Sequence, residues 1–431
     1  MLEQRKPLDL LVPIKGHAGS RRRERRPGVA ALDALREAVT ITSDAVKAVS
    51  LTAMEALKET VAFIGIIGPE NELVDPFERL DAAIWERQPP SDLYGLAYAY
   101  CEELTRREAG NFYHSFKYLP DEQRQAMCAV YAFCRRADDI ADGDWADHFP
   151  GSDRLEKEAS DYRSHLESLS DSAPVIEQPL YEDKIRQLFF FRKKLSTCYS
   201  NLYSTDPVFL ALKDTVERYG IQRQVFDDLI SGMEDDLFSN RYRTFDDLYA
   251  YCYRVASVVG LMCIDIYGYD APEARSAAES WGIFMQLTNV MRDVAEDVGR
   301  NRIYLPLNEL EANNITESEL MDGTVRRNVA WEPYVREYVA RARTYLEEAR
   351  ALLPLLPRRT RYSPAAMIAF YDKILRRIER AQGDVFSERI RLSKGQKLSL
   401  AAAVYLRHRF LPGFLDPVWA ALARINVLPS V

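Results

Sequence analysis

Downstream of about Leu93, apolar residues recur every three or four positions, the spacing that lines one face of an α-helix. Short breaks such as "KYLPDE", "DSAPVIEQP" and "GYDAPEA" punctuate these runs. Few stretches alternate apolar and polar residues as a half-buried strand does, so the pattern predicts an all-α domain. Upstream the pattern changes. Residues 1–28 are polar and broken by Pro and Gly, which predicts disorder. Residues 29–65 regain helical periodicity and predict an amphipathic helix lying on the main domain, on a partner or on lipid. Its polar face is not rich in Lys and Arg, which favours packing against protein. "IIGPENELVDP" (66–76) and "ERQPPSD" (86–92) read as linkers. The expected organisation is an N-terminal extension, residues 1–90, a helical domain, residues 91–412, and a tail, residues 413–431.

Two helical runs carry charge in apolar company. In "YAFCRRADDIADG" (131–143), helical phase puts Tyr131, Arg135, Asp138 and Asp142 on one face, with Asp139 beside them. In "FMQLTNVMRDVAEDVGRNRIYLP" (284–306), Gln286, Asn289, Asp293 and Asp297 share a face, interleaved with apolar Phe284, Leu287, Val290 and Val294. Neighbouring carboxylates repel, and a divalent cation reverses that interaction. Mg²⁺ prefers carboxylate oxygens and keeps waters and substrate phosphates in its shell, while the two amides offer neutral oxygens. Arg292, Arg300 and Arg302 lie close enough in sequence to meet phosphate charge. Either run alone fits an exposed acidic helix equally well. Two together point to facing rims over a cavity between helices, with a diphosphate bridged by Mg²⁺ as the natural ligand. Such a site stabilises a departing diphosphate, and an apolar pocket shields the allylic cation left behind. Aromatic rings in 111–120 and 249–260 offer π faces to that cation, although ordinary core packing is the default for most of them. Gly260, with Ala256 and Ser257, predicts a loosened or kinked helix.

Composition narrows the function classes. A chain of 431 residues, 47% hydrophobic and 28% charged, buries a large core. A net charge of −8 speaks against a general nucleic-acid binder. Six cysteines without a C-x-x-C pair read as reduced thiols. No apolar run approaches the ~18–20 residues of a membrane span. The N-terminus lacks the apolar core and cleavage site of a secretory signal, and its acidic residues count against an organellar transit peptide. The expectation is a cytoplasmic protein, with peripheral contact to a membrane surface left open.

The segments "NFYHSFKYLP", "YAFCRRADDIAD", "YCYRVASVVG", "QLTNVMRDVAEDVGRNRIYLP" and "YDKILRRIERAQGDVFSERIRLSKGQKL" together resemble the squalene/phytoene synthase family, in the same order and over about residues 93–412. The resemblance implies the class I isoprenoid synthase helical bundle with a central apolar cavity. It also implies head-to-head coupling of two prenyl diphosphates. By position, Asp138, Asp139 and Asp142 match the first Mg²⁺–diphosphate motif, and Asp293 and Asp297, supported by Gln286 and Asn289, match the second. Tyr131, Arg135 and Arg292 match diphosphate-holding residues, as do Tyr371 and Arg389 near the C-terminus, and Tyr251 matches the tyrosine of the kinked helix. The implied cofactor is Mg²⁺, with Mn²⁺ as a substitute and NADPH only for a squalene-forming enzyme. The implied partners are prenyl diphosphates, with no nucleic acid.

"VASVVG" stands where the family usually has "VAGTVG", Ala295 stands in a usual Gly position, and Asn111 in one often held by Ser. None of these removes an expected ligand, but Ser257 and Val258 bear on pocket length. "NRYRTFDDLYAYCYRVA" and "FSERIRLSKGQKL" favour coupling of two geranylgeranyl diphosphates to phytoene. The alternatives are a farnesyl diphosphate-using presqualene diphosphate, squalene or dehydrosqualene synthase, and an inactive assembly partner of such enzymes.

Overall fold

The computed structural model describes residues 84–85, 88–145, 153–170 and 172–410. The predicted helix at 29–65, the disordered start and the tail at 413–431 lie outside them. All described residues belong to the unit Leu80–Val431.

That unit is built almost wholly of helices. The first three are α1 (Ser91–Glu108), α2 (Gly110–Phe116) and α3 (Asp121–Asp142). Next come α4 (Asp153–Leu169), α5 (Gln178–Cys198), α6 (Pro207–Tyr219) and α7 (Arg223–Phe238). A long helix interrupted by a π turn follows as α8 (Phe245–Cys252), the π-helical turn (Tyr253–Ser257) and α9 (Val258–Tyr267). The longest straight element is α10 (Glu273–Gly299), followed by short α11 (Leu307–Ala312) and α12 (Glu317–Met321). The chain ends with α13 (Trp331–Arg350), α14 (Leu352–Leu355), α15 (Tyr362–Arg380) and α16 (Lys394–Phe410). A two-residue antiparallel pair, β1 (Ile84–Trp85) with β2 (Tyr203–Ser204), is the one sheet among the described residues.

The expected loosening of the helix falls at the π turn, which packs closely against the neighbouring helix. Gly282 of α10 faces it so closely that a Cβ there would sit 2.5 Å from the Ser257 nitrogen and 2.6 Å from the Ala256 carbonyl carbon. Ser257 Oγ donates to the Glu279 carbonyl at 2.8 Å, tying the two backbones together. One extra residue in the turn re-aims the side chains that follow it, a frequent device at functional sites. The stretch Phe245–Tyr267 is long and apolar enough to cross a membrane, which the shorter run at 255–264 did not suggest. It serves here as a core element, with more than half of its most apolar stretch buried inside the fold.

Candidate active site

α3 carries charge on one stripe because its other faces are spoken for. Met127, Val130, Phe133, Ala137 and Ile140 are buried, which turns Asp138 and Asp142 toward the open C-terminal end. Gly143 closes the helix in the left-handed region, at φ 89°. Lys184 donates to the Ala141 carbonyl in the last turn, where a cation suits the helix dipole. Behind the helix, Arg136 is 2% exposed and ion-paired to Asp206, with its guanidinium 4.6 Å from the Trp145 ring centroid. Burial alone would raise the Asp206 pKa, but Arg136 and Lys194 outweigh it and hold the carboxyl below the usual carboxylate range.

On the open face Arg135 ion-pairs with Asp139 and lies 3.4 Å from Asp138. α10 presents the second set. Asn289 Nδ2 donates to Gln286 Oε1 at 3.2 Å, while Asn289 Oδ1 is buried without a hydrogen-bond partner. Arg292 Nε lies 2.8 Å from Asp293 Oδ1. Arg389, arriving from the segment beyond α15, lies 3.1 Å from the same oxygen and 2.9 Å from Glu296. Arg300 and Arg302, just past α10, reach Asp142 at 3.5 and 3.6 Å, so the two acidic rims meet through guanidinium groups.

Below this mouth lies a pocket of about 330 Å³. Tyr131, Arg135, Asp138, Gln286, Asn289, Tyr251 and Tyr371 line it together with apolar residues of α2, α3, α7, α9 and α10. A neighbouring pocket of about 430 Å³ shares Phe112 and Tyr131, and four cations line it: Arg292, Arg389, Arg391 and Lys397. The structure thus brings Tyr131, Arg135, Asp138, Tyr251, Gln286, Asn289 and Tyr371 around one pocket and Arg292 and Arg389 around the next. Asp139, Asp142, Asp293 and Asp297 stand on the rims rather than in either lining.

Electrostatics mark the same place. Burial, then repulsion from Asp142, raises the Asp138 pKa to about 6 against the pull of Arg135. Burial and Asp293 raise Asp297 to about 7 against Arg302 and Arg300. Asp139 is also raised by burial, with Arg135 opposing. Burial pushes the Tyr371 phenol upward, with Arg292 and Asn289 opposing. The Tyr251 phenol lies well above its usual range for the same first reason, reinforced by Asp236.

Asp236 is the residue that the acidic-motif reading missed. It sits on α7, 8% exposed, with its pKa raised to about 7 by burial and by Asp138 and Asp142, against the attraction of Arg302. The Tyr251 and Tyr304 hydroxyls point to its two oxygens at 3.4 and 3.5 Å, and to each other at 3.4 Å. Its signal was present in the sequence: Asp236 continues the stripe Leu229–Met233, an apolar face that ends in a carboxylate.

Among the described residues no three His, Cys, Asp or Glu side chains stand gathered as a ready metal cage, and arginines pair the carboxylates instead. The donor set nevertheless suits a hard cation. The Asn289 oxygen is a buried acceptor without a partner, and the Asp138 and Asp297 carboxyls have raised pKa values, a set of hard oxygens that a divalent ion would suit.

The sequence model of the family described as squalene/phytoene synthase matches residues 105–396. The chain belongs to that family. It is 32% identical over 407 residues to phytoene synthase 2, chloroplastic, of Oryza sativa subsp. japonica, covering 91% of this chain and 92% of that protein. It is 33% identical over 328 residues to the phytoene synthase of Arthrospira platensis, covering 73% of this chain and 94% of the relative. A crystal structure of a dehydrosqualene synthase in complex with ligand superposes with a TM-score of 0.59 at 25% identity, over 74% of this chain and 99% of that one. As a family member the chain is a prenyltransferase of the phytoene/squalene synthase type, with the all-α fold the periodicity predicts.

Proposed function

We propose that the protein couples two geranylgeranyl diphosphates head to head, releases diphosphate and forms phytoene, with Mg²⁺ required. The observation that carries this reading is the meeting of two acidic helix ends over one apolar pocket, with a second cation-lined pocket beside it. Phytoene synthase relatives matched along most of the chain support the twenty-carbon substrate.

Asp138, Asp139, Asp142, Asp293 and Asp297, with the oxygens of Gln286 and Asn289, would hold the Mg²⁺ ions. When bound, these ions supply positive charge that stabilises the departing diphosphate. Arg135 at one rim and Arg292 and Arg389 at the other bind phosphate oxygens, exchanging their present carboxylate partners for the substrate. Arg391 and Lys397 add charge for the second diphosphate. Tyr131 closes the boundary between the pockets. The apolar walls exclude water from the allylic cation. One substrate ionises, its C1 is attacked by the double bond of the other, and proton loss closes a cyclopropane. Asp236, with a pKa near the working pH and two phenols directed at it, is suited to take that proton at Oδ2. A second ionisation, rearrangement of the resulting cation and loss of a second proton then yield phytoene, whose apolar character calls for delivery to a membrane surface.

Incubation with farnesyl and geranylgeranyl diphosphate separately, with Mg²⁺ and with or without NADPH, tests the reading by product mass. Phytoene from the twenty-carbon substrate is expected. A thirty-carbon product alone would overturn the substrate assignment, and no diphosphate release from either would leave an inactive assembly partner.

A further inference from the structure

The pocket has a floor, and one residue there has no other evident reason to be large. Both acidic rims stand at the C-terminal ends of their helices, so the pocket runs back toward the N-terminal halves of α3 and α10. At ~1.5 Å of rise per residue, Met127 stands ~16 Å along α3 from Asp138, and Trp281 stands ~18 Å along α10 from Asp293. Both line the pocket. Around Trp281 the wall is made of small residues, Gly260, Cys263 and Gly282. The ring passes 3.7 Å from where a side chain on Gly260 would begin.

Trp281 is 4% exposed, and its indole N–H is buried with no acceptor among the described residues. Buried indoles normally find one. A tryptophan that makes no hydrogen bond and leaves a donor unsatisfied is held there for its volume, which an aliphatic side chain would not supply. Bulk at this point ends the space into which a prenyl tail can extend.

We propose that Trp281 is the chain-length stop of the tail pocket, meeting the terminal isoprene unit of the bound diphosphate and excluding a tail one unit longer. The inference rests on the prenyl-diphosphate reading of the site and adds the residue that limits the substrate. The gap opened by shortening the side chain lies beyond the tail's far end, so the reacting atoms keep their surroundings.

Wild type, Trp281→Leu and Trp281→Phe are assayed with Mg²⁺ and the fifteen-, twenty- and twenty-five-carbon prenyl diphosphates, each supplied alone. Circular dichroism melting verifies the fold. In Trp281→Leu, kcat/KM for the diphosphate one unit beyond the wild-type limit should rise by about tenfold or more relative to the native substrate, mainly through KM. Trp281→Phe should move the ratio the same way by a smaller factor, and it stands in if the leucine variant does not fold. A folded variant of either kind with the wild-type ratio overturns the stop. The wild-type limit tests the substrate reading separately. A wild type that accepts only the fifteen-carbon chain overturns the phytoene assignment, while the stop still predicts a shift from fifteen to twenty. A wild type that couples none of the three overturns both.

Discussion

Asp236→Asn should make the metal-free protein more stable at pH 8 while lowering its activity. The carboxyl is buried among other carboxylates, and its pKa rises from 3.8 to about 7. A folded-state pKa above the unfolded value means that the folded form binds the proton more tightly. The stability this group contributes is therefore complete below about pH 4 and is lost as pH rises through about 7. At ~1.4 kcal/mol for each pH unit, holding the ionised group in place costs the fold roughly 4 kcal/mol at pH 8. Asparagine carries no charge to desolvate. It keeps one oxygen acceptor but turns an amide N–H₂ toward either the Tyr251 or the Tyr304 hydroxyl, a loss of about 1 kcal/mol. The net gain is about 3 kcal/mol at pH 8 and falls to zero or slightly below at pH 4. A change of 1 kcal/mol moves Tm by roughly 2–4 °C in domains of 150–250 residues and by less in larger ones, so the difference should be about 5 °C. Melting curves of both proteins in chelator, taken between pH 4.5 and 8, read it directly. Turnover of the variant should drop by about a hundredfold if Oδ2 accepts the proton. A Tm difference that does not grow with pH would refute the charge argument, and unchanged turnover would remove Asp236 from the chemistry.

Other expectations follow from the same geometry. Protons and Mg²⁺ compete for Asp138 and Asp297, whose pKa values stand at about 6 and about 7, so thermal stabilisation by Mg²⁺ should be larger at pH 8 than at pH 5. A shift independent of pH would place the ion elsewhere. Asp293→Ala frees Arg292, leaves Arg389 with Glu296 alone and removes a rim carboxylate. Mg²⁺-dependent diphosphate release should fall by at least about a hundredfold with little change in Tm, and unaltered release would reject the two-rim site. Gly282→Ala forces a methyl group into the backbone of the π turn and should cost about 1–3 kcal/mol or more in a denaturant melt. A neutral result would mean that the close approach is not needed for the π turn. Removing divalent ions with a chelator should abolish turnover, and added Mg²⁺ or Mn²⁺ should restore it.

The helical class and both acidic faces were legible in the chain alone, because each depends on periodicity within one element. An i, i+4 spacing puts Asp138 and Asp142 together wherever the helix lies, and burial of Phe284, Leu287, Val290 and Val294 opposite Asp293 follows from the same count. Asp236, Tyr304 and Trp281 gave only faint local signals. The importance of Asp236 comes from carboxylates of α3, and the size of Trp281 matters only beside the glycines of α9 and α10. The partners of the acidic motifs were likewise a tertiary matter: Arg389 comes to Asp293 from 96 residues away and Arg300 to Asp142 from 158. The sequence by itself determined which side chains share a face. Only the tertiary structure decided which faces meet, where the pocket ends and which carboxyls have their pKa values raised toward neutral pH, because distance and desolvation act between segments far apart in the chain.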